Sequence, residues 1–189
     1  MKENLFISVR LTIAAIVVFS GLYTLALLGA AKFLGPAGGK VGLYDPSGVN
    51  TGAVLLGQAF SDPKYFWGRP SAVNYDASGS AGSNKGPANP EYLELVKQRI
   101  DTFLAHNPGV EISSVPSELV TASGSGLDPD ISPASAMIQV QRISAARGIP
   151  EAVIRELINK LTSAPALGLF GTERVNVTKL NIELDGLQK

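Results

Sequence analysis

Residues 123–130 read SGSGLDPD and run directly into ISPASAMIQVQRISAARG. A loop that feeds a helix can hold phosphate, because the first backbone N–H groups of a helix are unpaired and its dipole favours an anion. Asp128 and Asp130 flank a proline and are candidates for metal ligands or for an acid–base pair. The same carboxylates argue against phosphate, since they already bring negative charge to the helix start. Two oxygen donors also fall short of the roughly six to eight that Ca²⁺ takes, and no nucleophile lies beside a base. Gly124 and Gly126 permit a tight or left-handed path. Ser132-Pro133 is an N-cap followed by the favoured first-turn proline. The stretch reads first as a helix start and second as a site.

Other chemistry is limited by what the chain contains. Cysteine is absent and His106 is the single histidine. Disulfides, thiolate chemistry, Cys/His zinc sites and multi-histidine sites are therefore excluded. His106 falls near the end of a helix, where the dipole stabilises an imidazolium, so a structural reason for it suffices. GPAGGK at Gly35–Lys40 is a near miss for a phosphate-binding P-loop. That motif needs four residues between its first glycine and Gly-Lys, then Ser or Thr; here there are three, and Val41 follows. Lys plus Arg equals Asp plus Glu at 16 each, which leaves no electrostatic footprint for nucleic acid.

The elements around these residues begin with LTIAAIVVFSGLYTLALLGAA, Leu11–Ala31, which carries no charge. At about 1.5 Å per residue it spans roughly 30 Å, the hydrocarbon thickness of a bilayer. Arg10 and Lys32 close its ends and can snorkel outward. A cleaved signal peptide is the competing reading, with small residues at Gly29-Ala30-Ala31, but its apolar region is usually about 7–15 residues. A retained anchor is expected. The positive-inside count is tied, with Lys2 and Arg10 before the span and Lys32 and Lys40 after it. A short tail before a first apolar segment favours the N-terminus inside and the domain outside. Ser20 with Thr24, and Ala26 with Ala30, make small-residue pairs suited to a helix–helix contact.

The chain thus divides into a cytoplasmic tail at 1–10, a transmembrane helix at 11–31, a linker at 32–52 and an extracytoplasmic soluble domain at 53–189. Ala53–Leu56 reads as a short buried strand. Phe60, Tyr65, Phe66, Trp67 and Tyr75 read as a core layer ahead of a binding platform, and Arg69 either holds a neighbouring carboxylate or carbonyl or is only a solvated charge. Residues 76–90, DASGSAGSNKGPANP, have the composition of a flexible linker. Asn89-Pro90 starts a helix whose core face is Tyr92, Leu95, Val96, Arg99, Phe103 and Leu104. Leu119–Ala122 reads as a strand. One helix is expected from Pro133 to Arg147, stopped by Gly148, with Ala136, Val140 and Ile143 on an apolar face and Gln139, Arg142 and Ala146 on a polar one. Pro150 opens another helix, with Val153, Leu157 and Leu161 inward. In RVNVTKLNIELD the alternation slips by one at Thr178-Lys179, as a β-bulge would cause. The fold class is α+β: one N-terminal transmembrane helix, then a single mixed α/β domain.

LLGQAFSDPKYFWGRPSA, GSNKGPANP, SGSGLDPDISPASA, IQVQRISAARG and VNVTKLNIELD, in that order behind one membrane helix, resemble the C subunit of the bacterial Kdp potassium-transporting ATPase. The likeness spans nearly the whole chain. The family commonly has His where this chain has Asp130, and often Glu at Ala134; both departures weaken any chemistry assigned to this loop. The resemblance implies a non-catalytic accessory subunit in the cytoplasmic (inner) membrane. Its implied partners are a P-type ATPase subunit that hydrolyses ATP, a channel-like K⁺-translocating subunit and a small hydrophobic subunit. Two roles follow. In one, the subunit is a catalytic chaperone that stabilises assembly and raises the ATPase subunit's affinity for ATP, with Gln139 as the implied nucleotide contact. In the other, it is an adaptor whose outside domain covers the K⁺ entry of the channel-like subunit. No metal is implied. A membrane-anchored hydrolase and a periplasmic binding or adaptor module are the rivals from other classes, and the missing nucleophile–base pair speaks against the first.

Overall fold

The computed structural model describes residues 2–39 and 53–187, and the chain falls into two compact units, Met1–Gly42 and Leu43–Lys189. The near-miss motif at Gly35–Lys40 ends on Lys40, which lies outside the described residues together with residues 41–52 of the expected linker.

 Among its described residues the N-terminal unit is one continuous helix in three parts, α1 (Lys2–Ala15), a π-helical stretch at Ile16–Leu22 and α2 (Tyr23–Leu34), followed by a 3₁₀ turn at Pro36–Gly39. From Glu3 to Leu34 it is long and apolar enough to cross a membrane. In the widened middle, the Tyr23 N–H donates to the Val18 carbonyl, an i→i+5 bond. Its large apolar side chains, Phe6, Leu11, Phe19 and Leu25 among them, are exposed along its length, as a lipid-facing helix requires. The helix extends past the apolar run of Leu11–Ala31 at both ends.

The second unit mixes helices with a small sheet. Helix α3 (Pro90–His106) starts where Asn89 accepts from the Tyr92 N–H, the expected cap. Of its expected core face, Phe103 is buried while Leu95 remains exposed. Helix α4 (Pro133–Met137) starts where Ser132 accepts from the Ser135 N–H. Helix α5 (Val140–Arg147) ends at Gly148, whose φ of 67° is the left-handed conformation of a helix stop. The single helix expected over 133–147 is therefore two, divided at Ile138–Gln139, where the Gln139 N–H bonds to Ala136 in a tightened turn. Helix α6 (Glu151–Leu161) buries Ile154, Leu157 and Ile158. Val153, expected inward, is exposed, because the buried stripe is centred one residue further on.

The largest correction concerns the C-terminus. Strand β3 covers only Arg174–Asn176, and helix α7 (Val177–Gly186) follows at once. Asn176 caps it by accepting from the Lys179 N–H. The apparent bulge is thus a strand-to-helix switch: Val177, Leu180, Asn181 and Leu184 are the buried helical stripe. Strands β1 (Asp130–Ile131) and β2 (Thr162–Ser163) flank β3 antiparallel in the order β1-β3-β2. Asp130 pairs with Asn176 and Ile131 with Val175 on one side; Thr162 pairs with Val175 and Ser163 with Arg174 on the other. Two expected strands are absent. Residues 54–56 form a turn closed by the Leu56 N–H on the Ala53 carbonyl, and Ser117–Leu119 is a 3₁₀ turn. The core joins Phe66, Phe103, Ile131, Val140, Ile143, Ile154, Ile158, Val175, Leu180 and Leu184. Residues 76–88 contain no helix or strand, but they pack back on the 123–126 loop, where the Ser80 hydroxyl donates to the Ser125 carbonyl.

Candidate functional site

The expected polar face of α5 does not face water. Gln139 is 0% exposed and Arg142 8%, while Ala146 is exposed. Both buried side chains reach the segment Pro63–Trp67, which begins in a turn closed by the Tyr65 N–H on the Asp62 carbonyl. Gln139 Oε1 accepts from the Trp67 N–H at 2.9 Å, and its Nε2 donates to the Trp67 carbonyl at 3.1 Å. The same Nε2 donates to the Ser135 carbonyl at 3.0 Å, and Oε1 also accepts from Arg142 Nη2 at 2.7 Å. A side-chain amide has two donor and two acceptor positions, so all four are filled within the chain. As folded here, Gln139 has no position left for a nucleotide; a direct contact would require opening this set.

Asn181 of α7 treats the preceding residue in the same way. It accepts from the Phe66 N–H at 2.8 Å and donates to the Phe66 carbonyl at 3.0 Å. Two side-chain amides thus replace the neighbouring strand that Phe66 and Trp67 lack, and satisfy backbone groups that would otherwise be buried unpaired. Arg142 completes the strap. It donates from Nη1 to the carbonyls of Pro63 and Tyr65 and from Nε to Asn107 Oδ1, and its guanidinium lies over the Trp67 ring at 4.5 Å. Burial pushes the Arg142 pKa down to about 10, which still leaves it charged at neutral pH. Arg147 extends the pattern, donating to the Lys64 carbonyl and pairing with Asp185 at 2.6 Å.

The loop at 123–130 is held from outside rather than open to a ligand. Asp128 pairs with Arg69 at 3.0 Å, so Arg69 does hold a carboxylate. Asp130 instead accepts from Asn176 Nδ2 at 3.2 Å and lies 3.3 Å from Arg174. The two aspartates therefore serve different partners. Burial raises the Asp130 pKa, against the opposing hydrogen bond from Asn176. Gly126 has a φ of 69°, and a Cβ there would come within 2.6 Å of Val73 and 2.7 Å of the Ala81 carbonyl, so both the turn and the close approach demand glycine. Glu118, which the sequence did not mark, accepts from the Ser132 N–H at 2.9 Å and from the Ser135 hydroxyl. Its desolvation is outweighed by these bonds, so its pKa is lowered. Among the described residues no three His, Cys, Asp or Glu side chains gather as metal ligands.

His106 is exposed at the end of α3, with Nδ1 2.9 Å from the Thr102 carbonyl oxygen. Its ring meets Trp67 edge-on at 5.0 Å. Both line a cleft of about 580 Å³ with Phe60, Arg69, Tyr75 and Arg99. The cleft's arginines are engaged: Arg69 with Asp128, and Arg99 with the Val120 carbonyl. No nucleophile is paired with a base in this lining. The arrangement is that of a scaffold whose buried polar groups hold chain segments together.

The architecture is one helix long and apolar enough to cross a membrane, followed along the chain by a mixed helix-and-sheet domain. The family model described as "KdpC: K+-transporting ATPase, c chain" matches residues 5–186. A potassium-transporting ATPase KdpC subunit of Bacteroides fragilis (strain YCH46) is 50% identical over 188 residues, covering 98% of each chain. That of Flavobacterium johnsoniae is 48% identical over 187 residues, covering 98% of this chain and all of its own. That of Caldanaerobacter subterraneus is 42% identical over 184 residues, with 97% and 95% covered. The chain belongs to the KdpC family of K⁺-transporting ATPase subunits. Membership implies an accessory role in the Kdp complex, and with it other Kdp subunits as neighbours.

Proposed function

We propose that this chain is a non-catalytic, membrane-anchored subunit of a high-affinity, ATP-driven K⁺ uptake complex, with its domain outside the cytoplasmic membrane. It stabilises the assembly and raises the ATP affinity of the catalytic P-type subunit through that assembly. It does so without holding nucleotide itself. The observation that carries this reading is the filled hydrogen-bond set of buried Gln139. A subunit that favours one conformation of its partner changes the partner's ligand affinity with no pocket of its own. The membrane helix packs its Ser20 and Thr24 side on the channel-like subunit, where small residues allow close approach.

The test has two arms. The purified full-length chain in detergent, titrated with ATP in a calorimeter, is expected to give no binding heat, while removing the subunit from the complex weakens apparent ATP affinity. Micromolar ATP binding by the lone chain, abolished in Gln139→Ala, would overturn the indirect mechanism. The chain has no cysteine, so Ser80→Cys reports topology directly. It is expected to react with a membrane-impermeant maleimide in spheroplasts; protection until lysis would place the domain inside.

A further inference from the structure

Strands β2 and β3 are joined by residues 164–173, APALGLFGTE. The loop doubles back tightly. The Ala166 N–H donates to the Phe170 carbonyl at 2.8 Å, and the Phe170 N–H returns to Ala166 at 2.9 Å. The N–H groups of Gly168 and Leu169 bond to Pro165 and Ala166. Leu167 sits at a φ of 55°, a left-handed conformation that costs a leucine energy. The tip then presents Leu167, Leu169 and Phe170 at 89%, 81% and 65% exposure. A single exposed leucine needs no explanation. Three large apolar side chains on a strained, internally bonded tip do, and nothing within the domain covers them.

We infer that this tip is a docking anchor, and that its occupant is an uncharged apolar notch on another subunit of the K⁺-transporting ATPase complex. The inference rests on the accessory-subunit reading above and names a surface for it. Residues 164–172 contain no Lys or Arg, the charges that draw a segment to an anionic lipid surface, and no Trp or Tyr, the residues enriched at the membrane–water interface. The centre of a protein interface is instead depleted of charge and built on a few apolar anchors. The bonded loop has already lost the conformational freedom that docking would otherwise cost.

The experiment uses the complete complex, captured through a tag on another subunit. The variant Leu167→Asn with Leu169→Ser and Phe170→Ser removes the apolar anchors, and Asn keeps access to the left-handed conformation. Recovery of this subunit at limiting concentration is expected to fall by roughly 30-fold, the size of an interface hot spot. Deleting the whole subunit is the reference. If deletion leaves K⁺-dependent ATPase activity unchanged, the accessory function itself fails. If deletion impairs activity and the triple variant still co-purifies normally, the anchor inference fails alone. Leu169→Cys carrying an environment-sensitive fluorophore, in the complex reconstituted into vesicles, supplies the second measurement. A blue shift that brominated phospholipid does not quench supports docking on protein. Quenching by that lipid, or emission unchanged from the free chain, overturns it.

Discussion

The strap around Pro63–Trp67 and the Leu167–Phe170 tip invert the ordinary partition of side chains in opposite senses. At the first, amides and a guanidinium are inside; at the second, leucines and a phenylalanine are outside. The difference lies in their partners. Gln139, Asn181 and Arg142 meet backbone groups of their own chain at hydrogen-bond distance, so the fold itself accounts for their burial. The tip's side chains have no such account. A buried polar cluster bonded within its own chain points to folding, whereas a preformed apolar surface with no internal cover points to a neighbour.

The largest expected effect breaks the first half of this comparison. Arg142→Met keeps much of the side chain's length but leaves the carbonyls of Pro63 and Tyr65, Asn107 Oδ1 and one Gln139 bond without their donor. Loss of several buried bonds to one charged group predicts destabilisation of about 3–5 kcal/mol, measured by denaturant unfolding of the full chain in detergent. A change below about 1 kcal/mol would show that the strap contributes little to stability and that Arg142 is buried for another reason.

Gln139→Ala comes next. It strands the N–H and C=O of Trp67 and removes a partner of Arg142. The expected loss is about 2–3 kcal/mol. The comparison is sharpened by reading stability and ATP affinity together in the assembled complex. Altered apparent ATP affinity at unchanged stability would contradict a folding role for this residue. Asn181→Ala should resemble Gln139→Ala in stability, because it strands the same two groups of Phe66.

These cases show where the sequence was readable. Asn89, Ser132 and Gly148 act on backbone within a few residues, and each was legible as a cap or stop. The strap was not, because Gln139 and Trp67 are 72 residues apart and polarity alone suggests a wet face. The strands were too short to establish a period. The C-terminus misled because Val175 and Val177 alternate before the helical stripe of Leu180, Asn181 and Leu184 is established. Asp128 and Asp130 looked like one site, but their partners, Arg69 and Asn176, come from different parts of the chain. The apolar LGLF between Ala166 and Gly171 at the tip was a usable signal, though it carries no helical or strand period.

Glu118 gives a smaller, pH-dependent effect. Its pKa is lowered in the fold because bonds from Ser132 and Ser135 outweigh desolvation. Its stabilisation is therefore complete above its ordinary value near 4.5 and lost as pH falls through the lower folded value. Asp130 acts with the opposite sign, since its raised pKa makes acidification through that value favour the folded state. Comparing Glu118→Gln with the parent chain removes the Asp130 contribution, which both share. The parent is expected to be more stable by about 1 kcal/mol at pH 7, and the gap should close in acid. A gap that stays constant down to pH 3 would mean the carboxylate's charge is not what holds the start of α4.

The smallest expected effect tests the second half of the comparison. Leu167→Asn with Leu169→Ser and Phe170→Ser replaces three large apolar side chains, a change that in a core would be severe. Here the side chains have surrendered little contact with water, so little transfer free energy is at stake. The loop's bonds run between backbone groups of Pro165, Ala166, Gly168, Leu169 and Phe170, and none depends on the replaced side chains. Asn also adopts the left-handed conformation more readily than Leu, which favours the variant slightly. Unfolding of the lone chain in detergent is therefore expected to shift by no more than about 0.5 kcal/mol, the range of surface substitutions. A loss of about 2 kcal/mol or more would place the tip among the residues that hold the domain together, and its apolar character would then need no partner to explain it.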